Sequence, residues 1–309
     1  MTTILRVMAG GANRGMCIWT TYEFQLYNKV KNLIVMKMKK LLFISLAAML
    51  AVACSKSDDE ATMVNCPDGT GIVSFGVAPS LEVEGTRAQV ALPEGTTVPN
   101  GADFALEITS SDPKTAYSGD SWTSVASFNE NYKKTYFTAG MYDATVTWGN
   151  PSEEGENKPF FKGDVSFNVN ARQLVEVTIL AKLANSIVKV EFSDAFKGYF
   201  ENGASFTITS GNDNEWAVDY DSTPYIFVES GKEVVIAGEA IKQKPSATVD
   251  APVVKFDDVK KTLAACTMYT YKYDVSTAGK VSVAIEITNE PTEYIEVGTE
   301  ELNDDAVIE

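Results

Sequence analysis

Segments in which apolar and polar residues alternate one by one set the strongest limit on what this chain can fold into. They occur, for example, at residues 142–148, 165–169 and 175–179. A period of two buries one face of a strand and leaves the other in water, which is typical of antiparallel sheets. Turn-forming clusters at 93–95, 99–101 and 150–152 separate such runs. The sequence therefore predicts an all-β chain.

The alternation restarts near residue 184, which predicts a second β domain. Many short strands with regular turn signals are typical of sandwiches. We predict two tandem antiparallel β-sandwich domains, of the Ig-like or transthyretin-like kind, at residues 70–183 and 184–290. An acidic tail is predicted at 291–309, although 294–297 also alternates like a strand. Ser193 before Asp194 predicts a capped helical turn.

The composition excludes several classes of function. None of the 309 residues is a histidine, so Ser-His-Asp and Cys-His catalysis and His-bearing zinc sites are excluded. A formal net charge of −16 argues against a nucleic-acid partner. A hydrolase with two carboxylates is still conceivable, but no glycosidase spacing, phosphate loop or nucleophile elbow occurs. We predict a protein that is not an enzyme and has no metal and no cofactor.

Residues 36–53 have the features of a secretory signal. Lysines precede an apolar run of about twelve residues, which is too short to span a membrane. Small residues then lead to Cys54, as in a bacterial lipobox, so we predict that Cys54 bears a lipid and that 54–69 is a tether. The alternative is an ordinary cleaved signal with an incidental cysteine. Residues 1–35 are predicted to be an upstream extension from a mistaken start, and the alternative is a long n-region.

Two further cysteines, Cys66 and Cys266, follow the predicted anchor. Two thiols in an exported protein allow one intramolecular bridge. The alternative is a flexible Cys66 beside the tether and a buried Cys266. Neither cysteine belongs to a metal-binding spacing.

Two other sets of residues have a functional and a structural interpretation. The oxygen-rich stretches 211–215 and 219–221 could bind calcium, but they do not match an EF-hand loop, and a solvated turn is the favoured interpretation. Trp122, Trp148 and Trp216 could form a sugar-stacking platform, whereas aromatic residues of sandwiches usually pack in the core. Trp148 is in phase with a buried strand face, so Trp216 is expected to be the more exposed.

Four runs resemble a known family: SWTSVASF at 121–128, TAGMYDATV at 138–146, NKPFFKG at 157–163 and KLANSIVKVEFSD at 182–194. Over residues 70–290 the chain resembles an uncharacterised lipoprotein domain family of Bacteroidetes. That family is distantly similar to the fimbrillin group of two-domain surface lipoproteins. The acidic stretch at 55–60 also resembles the export tag that directs such lipoproteins to the outer face of the outer membrane.

The fimbrillin resemblance implies a maturation site. Fimbrillin precursors are cut after an arginine near the first strand, and a neighbour's strand fills the groove that opens. The corresponding bond here joins Arg87 to Ala88, and the alternative is an ordinary surface arginine in a turn.

The resemblance also implies a function and a set of partners. We predict a lipid-anchored, surface-exposed outer-membrane lipoprotein with a structural or adhesive, fimbrillin-like role. The alternative is a glycan-binding accessory lipoprotein of a polysaccharide-uptake system, and a carboxylate-only glycoside hydrolase is the third possibility. The predicted partners are the outer membrane and either other fimbrial subunits or host or dietary glycans.

Overall fold

The computed structural model describes residues 64–83, 89–201, 203–242, 253–275, 280–288 and 290–297. All of them belong to one compact unit, Ala61–Glu309. The predicted extension at 1–35 and signal peptide at 36–53 lie outside the described residues. Within the described ranges, no helix is long and apolar enough to cross a membrane.

The first half of the described chain forms one seven-stranded sheet that folds over into two layers. Its strands are β1 (Thr70–Ser80), β2 (Ala105–Thr109), β3 (Asp120–Trp122), β4 (Phe137–Thr138), β5 (Gly140–Trp148), β6 (Phe161–Val169) and β7 (Leu174–Leu183). Their order is β3-β2-β5-β6-β7-β1-β4. The sheet turns its corner where β6 meets β7, through two residue pairs. Phe75 of β1 therefore faces Phe167 of β6 across the core, with ring centroids 5.5 Å apart.

The second half packs two five-stranded sheets against each other. One has the order β10-β9-β12-β13 with β14 beside β12, and the other has the order β11-β8-β15-β16-β17. The strands are β8 (Asn185–Phe192), β9 (Ala204–Thr209), β10 (Glu215–Val218), β11 (Ile226–Glu229), β12 (Glu233–Ile241), β13 (Val253–Lys255), β14 (Val259–Thr262), β15 (Met268–Val275), β16 (Val281–Ile287) and β17 (Glu293–Glu296). β17 lies in the segment assigned to the tail, where the sequence also alternates like a strand.

These sheets confirm the prediction of an all-β, sandwich-type fold. The faces marked by alternation are the buried ones: Tyr142, Ala144 and Val146 of β5 all lie in the first core. Most strand pairs are antiparallel, but β1 pairs with β7, and β8 with β15, in parallel. Alternation shows which face is buried and not which way the neighbouring strand runs, so these parallel pairs were not predicted.

Two short α-helices occur in the described ranges, and the sequence predicted one of them. α2 (Asp194–Tyr199) begins after Ser193, whose side chain accepts a hydrogen bond from the amide of Phe196, as expected of a cap. α1 (Val125–Asn129) begins at Ser124 with a capping box. α1 was missed because one and a half turns are too few to show a helical period.

The two edges of β1 are held in different ways. On one side β1 pairs with β7 along nine residues, from Ile72 to Ser80. On the other side, among the described residues, β4 pairs with its first two residues alone. Further along, the Asn129 side chain accepts a hydrogen bond from Phe75 N–H (3.1 Å) and donates one to Phe75 C=O (2.7 Å). One side-chain amide thus replaces a strand partner there.

A turn covers the next part of the same edge. Gly101 lies so close to β1 that a Cβ at this position would come within 2.1 Å of the Val77 carbonyl oxygen. Glycine is therefore required at this position by the close approach of two backbones. The outer edge of β1 is covered by an amide and a turn, and not by a full strand.

We expect Asn129→Asp to loosen β1. A carboxylate can still accept from Phe75 N–H, but it cannot donate to Phe75 C=O, which is left unsatisfied beside a negative charge. The free energy of unfolding should fall by about 1–3 kcal/mol, and hydrogen exchange should become faster in β1. Urea titration and hydrogen-exchange mass spectrometry measure both effects.

The matched control for this change is Asn131→Asp. Asn131 is exposed and its side chain makes no cap hydrogen bond. It should leave both measurements unchanged, and equal effects from the two variants would contradict the role given to Asn129.

Candidate functional site

The loop between β5 and β6 carries a carboxylate that is bound by the second half of the chain. Glu154 accepts hydrogen bonds from Ser210 Oγ (2.6 Å), Asn212 Nδ2 (3.0 Å), Asn214 Nδ2 (2.7 Å) and the backbone N–H of Glu229 (2.8 Å). We call these five residues the Glu154 clamp. The Asn212 and Asn214 donors come from the turn that joins β9 to β10.

The clamp favours the charged form of Glu154. Burial raises the pKa of this carboxyl, but the four hydrogen bonds outweigh burial and hold the pKa below its ordinary value of 4.5. Glu154 is therefore ionised at neutral pH. Lys232 lies beside the clamp, where it makes an ion pair with Glu229 at 2.9 Å and a hydrogen bond to Asn212.

A second asparagine joins the same loop to the start of β8. The side chain of Asn185 donates to the carbonyl of Lys158 (2.8 Å) and accepts from the amide of Phe160 (3.2 Å). Asn185 is 5% exposed, so these bonds satisfy an otherwise buried amide. Nearby, Gly155 and Phe227 exchange two backbone hydrogen bonds of 2.9 Å.

Apolar packing continues across the same boundary. Ile187, Phe227 and Cys266 follow the first sheet in sequence, yet they are buried with its core. The two halves therefore contact each other through both polar and apolar groups.

Two shallow clefts open on the first half. One, of about 310 Å³, lies on β2, β3 and β5 and is lined mainly by small or hydroxyl-bearing side chains together with Leu106, Glu107 and Trp122. The other, of about 170 Å³, lies where β5 ends. We call the second one the Trp148 cleft, and its side chains come from Trp148, Asn150, Glu153, Asn157, Lys158 and Pro159.

The predicted modification residues Cys54, Arg87 and Ala88 lie outside the described residues. Their lipidation and cleavage therefore stay predictions.

Cys66 and Cys266 are both free thiols in the structure. The thiol of Cys66 donates to the carbonyl of Thr70 at 3.0 Å. Cys266 is buried, and burial raises the pKa of its thiol. The pairing of Cys66 with Cys266 stays a prediction.

The turn at 211–215 is neither simply solvated nor arranged for a metal ion. Two of its side-chain amides bind Glu154, and Asp213 adopts a left-handed conformation with φ of 61° that forms the turn. Across the described ranges, no three His, Cys, Asp or Glu side chains come together as ligands for a metal ion.

The three tryptophans are half-buried and pack against the cores. Trp122 and Trp148 pack against the first core, and Trp216 packs against the second. All three tryptophans thus share one half-buried state, and the greater exposure expected of Trp216 stays a prediction. The sequence places Trp216 after a polar turn, but β10 pairs with β9 and turns the indole toward the core.

The carboxylates with shifted pKa values all shift downward in the described part of the chain. They are Asp112, Glu153, Glu154 and Glu229. In each case hydrogen bonds stabilise the charged form, whereas a general acid needs a pKa raised toward neutrality. The pKa shifts of these four carboxylates therefore favour their ionised forms and give none of them the raised pKa of a general acid.

Sequence reasoning missed Glu154 and Asn185. Glu154 stands in an acidic run, Glu153-Glu154-Gly155-Glu156, which has the composition of a solvated loop. The one available signal was the amide-rich stretch at 211–214, which supplies donors that an acid elsewhere in the chain could satisfy. Asn185 gave no signal, because its partners are backbone atoms.

Comparison with known proteins gives a family and several similar folds. The model of a family described as a domain of unknown function, DUF4493, matches residues 69–302. No curated protein matches the sequence.

Among solved structures, a proposed cell adhesion protein from Bacteroides eggerthii is 7% identical, with a TM-score of 0.38, over 76% of this chain and 98% of its own. Proposed polysaccharide binding proteins from Bacteroides thetaiotaomicron are 11% identical, with a TM-score of 0.39, over 73% and 98%. A proposed adhesin from the same species is 11% identical, with a TM-score of 0.37, over 76% and 100%. These values are too low to transfer a function.

We expect Glu154→Gln to weaken the junction between the halves. Glutamine keeps one acceptor oxygen, but its amide group would point hydrogens at donors of the clamp. The free energy of unfolding in urea should fall by about 1–3 kcal/mol at pH 7. Glu156→Gln, which changes an exposed acid two residues further on, should have no effect. If both variants lost the same free energy of unfolding, the effect would come from removing a negative charge and not from breaking the clamp.

The difference between wild type and Glu154→Gln should depend on pH. Because the pKa of Glu154 is lowered by folding, its contribution to stability is complete above the ordinary value of 4.5 and is lost as the pH falls through the lowered pKa. The two proteins should therefore converge in stability in strong acid. A difference that stays constant from pH 7 into strong acid would contradict this assignment.

Proposed function

Since the chain belongs to the family described as a domain of unknown function, DUF4493, we propose its function from its own geometry. The resemblance to that family is thereby confirmed. The protein is a non-catalytic structural or adhesive subunit that reaches the cell surface anchored in the outer membrane by a lipid on Cys54 and is released from that anchor for assembly by a cut between Arg87 and Ala88. The observation that carries this proposal is the weakly covered outer edge of β1.

β1 is placed so that one cut would separate it from the rest of the fold. The strand ends at Ser80, and the bond between Arg87 and Ala88 follows it in the chain. Cleavage there would detach β1 and leave the edge of β7 without a partner along nine residues. Exposed edges of this kind bind additional strands.

Loss of β1 would also open an apolar groove. Val73 and Phe75 are buried in the first core, and Phe75 packs edge-on against Phe128 at 5.2 Å and Phe167 at 5.5 Å. A neighbour's strand with apolar residues two apart could fill the same positions. This supports assembly by strand addition.

Two further observations support a passive surface role. The Glu154 clamp and Asn185 fasten the halves to each other, which suits a rigid subunit. The carboxylates with shifted pKa values are stabilised as anions, which does not favour the hydrolase. The second candidate is a glycan-binding accessory lipoprotein, which the Trp148 cleft favours.

The test is the N-terminal mass of the protein recovered from native outer membranes. We expect an acylated Cys54 on the newly exported chain and a start at Ala88 in assembled material. With Arg87→Ala, we expect the acylated Cys54 form to be the only one recovered, because cleavage is blocked. Cys54→Ser should abolish acylation and membrane retention.

The control removes the one other arginine that follows Cys54 in the sequence. Arg172→Ala should leave both N-termini, at Cys54 and at Ala88, unchanged. A chain that starts at neither Cys54 nor Ala88 would overturn the anchored, strand-exchanging subunit.

A further inference from the structure

The Trp148 cleft combines an aromatic wall with fixed polar groups. Trp148 is half-buried, and its ring centroid lies 6.3 Å from that of Phe161 in the core. Gly149 follows with φ of 89°, and a Cβ there would lie 2.4 Å from the carbonyl oxygen of Pro159. The two sides of the cleft are therefore held close together by a glycine that no other residue can replace without strain.

The polar side chains of the cleft are positioned before any ligand arrives. Asn150 Oδ1 accepts from the amide of Ser152 at 3.0 Å, and Asn150 Nδ2 donates to Glu153 Oε1 at 3.1 Å. Lys158 Nζ lies 2.6 Å from Glu153 Oε2. Polar groups fixed in this way lose little freedom when they bind a ligand.

The lining of the cleft also offers an amide donor. Asn157 has a left-handed φ of 53°, and its Oδ1 accepts from Thr96 Oγ1 at 2.7 Å. This bond fixes which way the side chain faces. Among the described residues the Asn157 Nδ2 group donates to no partner, so it is the part of Asn157 that can serve a ligand.

This set of groups matches one class of ligand. A sugar ring has an apolar C–H face, which packs on an indole, and a rim of hydroxyls, which pair with amides, carboxylates and ammonium groups. Glu153 and Lys158 cancel each other's charge, and the net charge of −16 disfavours anionic glycans. A cleft of about 170 Å³ is smaller than typical ligand pockets, which suits one ring and not a longer segment.

We propose that the Trp148 cleft binds the terminal neutral pyranose ring of a glycan. The larger cleft on β2, β3 and β5 also contains an indole, that of Trp122, but in the part of the chain that the structure describes its lining offers no amide or ammonium side chain to pair with sugar hydroxyls. The inference rests on the second candidate function, glycan binding, and does not depend on strand exchange.

The experiment titrates the full-length chain, in detergent and labelled with ¹⁵N-tryptophan, with methyl glycosides of glucose, galactose, mannose and N-acetylglucosamine. At least one glycoside should shift the indole N–H resonance of Trp148, which the Trp148→Phe variant assigns. The resonances of Trp122 and Trp216 should stay in place. Methyl glucuronide, an anionic sugar, should bind more weakly than its neutral counterpart.

A matched pair of variants tests the polar side of the cleft. Glu153→Gln breaks the ion pair with Lys158, whose side chains are 50% and 48% exposed. Glu296→Gln breaks a comparable pair with Lys280, 55% and 52% exposed, on β17. Glu153→Gln should raise the Kd about tenfold without changing the thermal midpoint, whereas Glu296→Gln should leave the Kd unchanged.

Three results would overturn the proposal. They are the absence of a shift with any of the neutral glycosides, an equal loss of affinity in both variants, and a shift confined to Trp122. The last result would retain glycan binding as a function and move its site. None of the three bears on the N-terminal mass, so the strand-exchanging subunit is tested separately.

Discussion

The polar contact that most constrains the arrangement of the two halves is the half-buried carboxylate of Glu154, which acts beside Asn185 and the shared apolar packing. Burying a charge is unfavourable unless hydrogen bonds compensate it, and here four donors from two separate segments do so. The loop that carries Glu154 also forms one wall of the Trp148 cleft. The same interaction therefore joins the two halves and holds the loop that lines the Trp148 cleft, so these two features are coupled.

Asparagine side chains satisfy backbone groups at two places where strand pairing stops. Asn129 donates to and accepts from Phe75, and Asn185 does the same with the backbone of Lys158 and Phe160. An amide side chain carries one donor and one acceptor side by side, as a peptide group does. It can therefore complete a sheet edge without adding a strand. This gives the edge hydrogen bonds while leaving it open to a longer partner.

The sequence predicted those features that depend on neighbouring residues. Alternation located β5, β6 and β7 and their buried faces, and Ser193 located α2. It could not give the direction of pairing between β1 and β7, because both directions bury the same face. It also could not find the Glu154 clamp, whose residues lie far apart in the chain and look individually like solvated loops. In the Trp148 cleft, the sequence pointed to the indole of Trp148 but not to the polar side chains that line the cleft with it.

The parallel pairing of β1 with β7 has a consequence for the order in which the chain acquires its structure. Ile72 must wait for Leu174 before its ladder can form, and closing so long a loop is slow. A chain delivered from its N-terminus therefore passes through a stage in which the rest of the first sheet can assemble while the edge of β7 that pairs with β1 is still unoccupied. During that interval β1 competes with any other strand for the free edge of β7. Timing, as well as final stability, then decides which strand occupies it.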